Sequence, residues 1–232
     1  MGKCRVLEKI RLDRLRHAAP QVFDRLRDAI VSLELAPGTV LARHVLAEQF
    51  GISQTPIRDA LMRLGEEGLV DIFPQHATVV SRIDVPAARE AHFLRRSIEL
   101  EIVRGLARQV PEGLIARLQA QIVLQTTLAE AQNYRDFVAA DQEFHRLMYE
   151  AAGVLGLWNL VWRMSGHVDR LRRLHLPTAG KAEAVLRGHQ AIVEAIARQD
   201  SEGAQATLRA HLSGTLSALD EICARYPEYV TT

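Results

Sequence analysis

Residues 46–70 read LAEQFGISQTPIRDALMRLGEEGLV, two short amphipathic segments on either side of a glycine, followed by an extended run. Leu46, Ala47 and Phe50 give the first segment one apolar face, and Gly51 falls where a helix end favours a residue tolerant of left-handed backbone. Ser53 is placed to cap a second helix through its hydroxyl, and Pro56 falls in the first turn, where its missing N–H costs little. Ile57, Ala60, Leu61 and Leu64 then form an inward stripe. This is a helix-turn-helix pattern. Gln54, Thr55 and Arg58 lie at the polar start of its second helix, the end that enters a DNA major groove in such motifs.

On the N-terminal side the spacing predicts a helix over 20–34, with Val22, Leu26, Ala29, Ile30 and Leu33 inward, stopped by Pro37-Gly38; residues 39–41 are extended. On the other side, alternation predicts strands over 69–73 and 78–82, joined across Pro74, Gln75, His76 and Ala77. Three helices and a hairpin make a winged helix, whose tip reaches the DNA backbone or minor groove. Arg43 and His44, at the start of the first helix of the pair, and His76 at the tip complete the candidate DNA-binding set. The competing use of this fold is protein interaction. Ahead of it, residues 1–18 carry Lys3, Arg5, Lys9, Arg11, Arg14 and Arg16, either a solvated end or an arm that touches phosphates.

From Asp84 onward the pattern is helical. A first helix carries Ile98, Ile102, Val103 and Leu106, and others are expected over 111–131, 134–152, 155–176, 181–198 and 201–225, with Asn133 and Asp200 as N-caps. The fold class is therefore mainly α: an arm (1–18), a winged helix-turn-helix of three helices and a β-hairpin (19–83), an all-helical bundle (84–226) and a tail (227–232). With 232 residues, 48% of them hydrophobic and 25% charged, the chain can build two cores. Cys4 and Cys223 lack metal-ligand spacing, which argues against a zinc ribbon or a disulfide framework. The chain has no apolar run of membrane-spanning length and no signal-peptide pattern, so the expected location is the cytoplasm. A net charge of +1 does not by itself point to nucleic acid, so the DNA reading rests on pattern.

A second constellation is chemical. Asp141 and His145, four apart, share the helix face that carries Val138, Met148 and Ala152. His189 lies on a stripe with Ile192, Val193 and Ile196, and His211 on one with Leu208, Leu212, Thr215 and Leu219. Singly, each histidine reads as a hydrogen-bonded core residue. Converging from separate helices with a carboxylate, they read as ligands for a divalent transition metal, zinc or nickel among the candidates. Arg95, one turn before Glu99, is either an anchor for an effector carboxylate or half of a surface pair. Trp162 either lines the same pocket or is simply core. The rival class, a metal-dependent enzyme built on the helical domain, needs a base, and Glu143 is two residues from Asp141, on roughly the opposite helical face.

These residues resemble the GntR superfamily of transcriptional regulators. The resemblance is carried by Ala47-Glu48 through Val70, with the core Ser53-Gln54-Thr55-Pro56-Ile57-Arg58-Asp59-Ala60-Leu61, then Gly68-Leu69-Val70 and the Pro74-Gln75 approach to the wing. The helical remainder resembles the FadR-like branch and its FCD effector domain, through Arg95 to Glu99, Asp141 with His145, Gly188-His189 and Arg209-Ala210-His211. The resemblance implies that Asp141, His145, His189 and His211 form a metal site, and that the protein pairs as a homodimer on inverted half-sites. The function expected is a DNA-binding regulator, first a repressor released by a small organic acid bound beside the metal, with repression or activation left open by the sequence. Two departures stand out. Many relatives carry arginine where this chain has Gln54, and glutamine favours an adenine edge where arginine favours guanine. At the wing tip His76-Ala77 replaces the usual basic residue and glycine.

Overall fold

The structure is a computed structural model that describes residues 12–13, 15–74 and 76–232. Lys3, Arg5, Lys9, Arg11 and Arg14 of the expected arm, together with Cys4 and Gln75, lie outside them. Two compact units are present, one made of the described residues up to 85 together with 225–232, the other of residues 86–224.

In the first unit, α1 (Ala18–Val31) buries Val22, Phe23, Leu26, Ala29 and Ile30 along one stripe, and Leu33, at φ 63°, turns the chain away. Helices α2 (Arg43–Phe50) and α3 (Gln54–Glu66) follow as the sequence pattern requires. Gly51 has φ 65° and ψ 36°, and Ile52 N–H donates to the Ala47 carbonyl at 3.1 Å, so a left-handed glycine closes α2. Ser53 occupies the N-cap position of α3, yet its hydroxyl makes no capping hydrogen bond, contrary to expectation. Arg27, buried on α1, pairs with Glu67 at the end of α3 at 2.8 Å. Gly68, at φ 69°, then turns the chain into β1 (Val70–Phe73), which pairs antiparallel with β2 (Ala77–Val80) in the register Val70↔Val80 and Phe73↔Ala77. Val40 bridges Val79, adding a short third rung to this wing.

Residues 227–232, read from the sequence as a tail, contain a strand. β4 (Val230–Thr231) runs parallel to β3 (Ile83–Asp84), and Ile83 N–H donates to the Tyr229 carbonyl at 2.7 Å. The end of the chain thus completes the unit that its beginning builds.

The second unit is helical: α4 (Val85–Arg108), α5 (Leu114–Glu130), α6 (Tyr134–Ala151), α7 (Leu155–Met164), α8 (Gly166–His175), α9 (Lys181–Ala197), α10 (Ser201–Ser213) and α11 (Leu219–Arg225). Asn133 and Asp200 cap α6 and α10 as expected, accepting from Asp136 and Gly203 N–H. Two helices expected to be continuous are broken. The run 155–176 divides at Ser165-Gly166, where Ser165 Oγ lies 2.9 Å from the Trp162 carbonyl and 2.6 Å from Asp169 Oδ2. The run 201–225 divides at Gly214 and passes through a 3-10 turn, Leu216–Ala218, before α11. Val103, Leu118, Phe144, Met148, Ile192, Ile196 and Leu208 belong to the main core. Among the described residues no helix is long and apolar enough to cross a membrane.

Candidate metal centre and nucleic-acid interface

Asp141 and His145 stand one turn apart on α6, His189 on α9 and His211 on α10. The same apolar stripes that bury Phe144 and Met148 on α6, and Ile192 and Ile196 on α9, carry the polar residues inward. One ligand atom from each of the four lies within 4.8 Å of all the others. Ligands held about 2.0–2.2 Å from a common ion stand roughly 3–4.4 Å apart, so a slight contraction would bring all four onto one ion.

Two hydrogen bonds decide which ring nitrogens are free. Glu99 Oε2 lies 2.8 Å from His145 Nδ1, and Gln125 Oε1 lies 2.8 Å from His189 Nδ1. These oxygens accept, so each Nδ1 carries the proton and each Nε2 presents a lone pair. Phe144 stacks on His189 with ring centroids 3.9 Å apart and fixes the imidazole plane. His189 Nε2 then faces Asp141 Oδ1 at 3.4 Å, and both atoms are buried without a hydrogen-bond partner. Two buried acceptors in opposition are costly unless a cation lies between them. His211 Nε2 completes the group, 3.3 Å from His145 Nε2. Gly188 admits it, because a Cβ there would stand 2.6 Å from His211 Nδ1.

Charge states follow from burial and neighbours. Burial lowers His189 to about 3 against the pull of Asp141, and burial likewise lowers His145 and His211, so all three rings are neutral at pH 7. Burial alone would raise the Glu99 carboxyl, but Arg95 and His145 outweigh it and hold it at about 2. Burial also opposes ionisation of Asp141, and Arg172, ahead of His145 and His189, brings it well below the usual carboxylate range. Arg172 reaches Asp141 Oδ2 directly and Asp169 Oδ1 at 3.3 Å.

Asp141 and His211 also line a small cavity of about 50 Å³, which Arg95, Arg172 and Lys181 share. The Arg95–Glu99 pair exists, but not at the surface: Arg95 is 7% exposed and Glu99 0%, with Nε 2.6 Å from Oε1. Arg95 Nη2 is buried with no partner. Trp162 is half-buried on α7 and is not among the residues lining this cavity.

In the first unit Gln54, Thr55 and Arg58 are exposed at the start of α3, Arg43 and His44 at the start of α2, and His76 at the wing tip. Arg43, His44, Gln54, Arg58 and His76 line one groove between the helix pair and the wing, whereas Thr55 stands outside it.

Comparison with known proteins places both units. Residues 18–80 match the family described as bacterial regulatory proteins, gntR family, and residues 90–214 match the FCD domain. The chain belongs to the GntR family and carries an FCD domain. An HTH-type transcriptional regulator "in unstable DNA locus" of Streptomyces ambofaciens is 31% identical over 91% of this chain and 89% of its own length. The HTH-type transcriptional repressor RspR of Escherichia coli is 28% identical over 87% and 89%. The solved structure of E. coli McbR/YncC shares the fold, with a TM-score of 0.76 at 21% identity over 89% of this chain and 98% of that one. This GntR protein is a DNA-binding transcriptional regulator. The family and its named relatives are regulators and not enzymes, and Glu143, the base an enzyme would need, is held by Arg146 at 2.6 and 2.7 Å.

Sequence reasoning missed four contributors to the FCD site. Glu99 carried a signal: with Ile102 and Leu106 it falls on the buried stripe of α4, three and seven residues on. Gln125 lies seven residues after Leu118, again on a core stripe. Arg172 and Lys181 carry no comparable signal, since basic residues near helix ends are ordinarily solvated.

Proposed function

We propose that this regulator is a repressor that binds a two-fold operator as a homodimer and is released by a small carboxylate ligand held beside a divalent metal. Asp141, His145, His189 and His211 would hold the ion, with Glu99 and Gln125 orienting two of the rings. The observation that carries this reading is the buried, partnerless opposition of Asp141 Oδ1 and His189 Nε2. Three nitrogens and one oxygen suit zinc, nickel or related ions, and such an ion supplies open coordination positions for a carboxylate or hydroxyl. The unpartnered Nη2 of Arg95 supplies a second anchor for that carboxylate.

On the DNA side, Gln54, Thr55 and Arg58 would meet base edges or nearby phosphates, Arg43 and His44 the backbone, and His76 the groove beside the wing. One winged helix reads only a few base pairs, which favours paired half-sites. Exposed Phe93, Val123 and Leu124 offer apolar surface in the helical domain for pairing. The DNA-binding domain spans 19–83 and the effector domain 84–226, and the working location is the cytoplasm. Release requires that the ligand bind the DNA-incompetent arrangement more tightly; mere occupancy shifts nothing.

Native mass spectrometry of protein purified without chelator reads subunit count and metal together. The expected result is a dimer with one divalent ion per chain, and a His189→Ala variant that loses the ion yet still shifts operator DNA. A metal-free wild type whose melting temperature zinc and nickel leave unmoved would make the four residues ordinary core polar groups.

A further inference from the structure

Lys181 opens α9 and is half-buried at the cavity wall. Its ammonium lies over the break after α10, where a Cβ on Gly214 would stand 2.9 Å from Nζ. Among the described residues no carboxylate comes within ion-pair distance of it. The other cations of the cavity are differently placed: Arg95 pairs with Glu99, and Arg172 with Asp141 and Asp169. Burial disfavours the Lys181 ammonium and Arg172 adds to that, while Asp141, beyond ion-pair distance, offsets part of it.

Counting charges turns this into a statement about the ligand. Asp141, once committed to a dication with the three histidines, has less charge to share with Arg172. Arg172 then retains Asp169, while Lys181 has no counter-ion. One anionic group satisfies the metal end and the free Nη2 of Arg95, and it leaves the ammonium that lines the same small cavity unanswered.

We propose that the cavity takes a short dianion, one anionic group at the metal end beside Arg95 and the second on Lys181, so that Lys181 selects diacids over monoacids. This rests on the carboxylate-binding reading above. The second group is a carboxylate or a phosphate, since both match an ammonium.

The test is calorimetric titration of the zinc-loaded full chain with malonate and succinate, with phosphoglycolate, and with acetate and propionate, at matched ionic strength. The expected preference for a dianion over a monoanion is at least about tenfold, the scale of one charge-assisted hydrogen bond. Lys181→Gln should erase that preference, and Lys181→Arg should restore it. The ratio of malonate to phosphoglycolate affinity identifies the second group. A wild type that binds monoacids and diacids alike, or a Lys181→Gln variant that keeps the preference, overturns the inference and leaves the carboxylate reading standing. Zinc-loaded protein that binds none of the acids overturns both.

Discussion

In the winged helix, Gln54, Arg58 and His76 project into solvent from elements whose buried stripes contain none of them. In the FCD domain, Asp141, His145 and His189 are themselves buried, beside Phe144 and Met148. The first arrangement separates recognition from folding, because the core of Ile57, Ala60, Leu61 and Leu64 packs whatever stands at the exposed positions. The second couples them. His145 depends on Glu99, which also neutralises Arg95 and accepts from the Tyr149 hydroxyl at 3.4 Å, so a single substitution there disturbs several buried partners.

The sharpest way to break this comparison is Glu99→Ala. It leaves Arg95 buried and unpaired and removes the acceptor of His145, so urea unfolding should show a loss of about 3–5 kcal/mol. Zinc affinity measured against a competing chelator should fall with it. A stable variant with normal zinc binding would mean that the buried network is dispensable.

A smaller effect is expected from truncation after Arg225. It removes the Tyr229 carbonyl that Ile83 uses and the burial of Val230, a contribution of about 1.5–3 kcal/mol. Hydrogen exchange should quicken at Ile83 and Asp84, while exchange around His145 and His189 stays as it was. Uniform loosening of both units would show that the terminal strand does not belong to the winged helix alone.

Arg58→Ala should cost about 1–3 kcal/mol of operator affinity at fixed salt, with folding stability changed by no more than about 0.5 kcal/mol. Equal affinity in a folded variant would take Arg58 out of the interface. Gln54→Arg should change stability least of all and alter which operators are selected. Identical selected sequences from variant and wild type would remove Gln54 from base reading.

The sequence by itself determined whatever is written at short range. The helix pair around Gly51, the wing and the caps at Asn133 and Asp200 each depend on residues a few positions apart, where 3.6- and 2-residue periodicities act directly. The stripes also turned Asp141, His145, His189 and His211 inward, and the family resemblance grouped them. The expected cap of Ser53 did not form, and the helices expected over 155–176 and 201–225 break at Ser165-Gly166 and at Gly214, because propensity is a weak guide where the Ser165 hydroxyl finds other partners or a glycine admits a turn. Only the tertiary structure decided which nitrogen of His145 and His189 is free, since Glu99 lies 46 residues from one and Gln125 64 from the other. The same holds for Gly188 beneath His211, Lys181 at the cavity and the pairing of β3 with β4. Such contacts join helices or strands distant in sequence. Their cost and gain are set by packing and desolvation at the point where those elements meet, and no local pattern records that point.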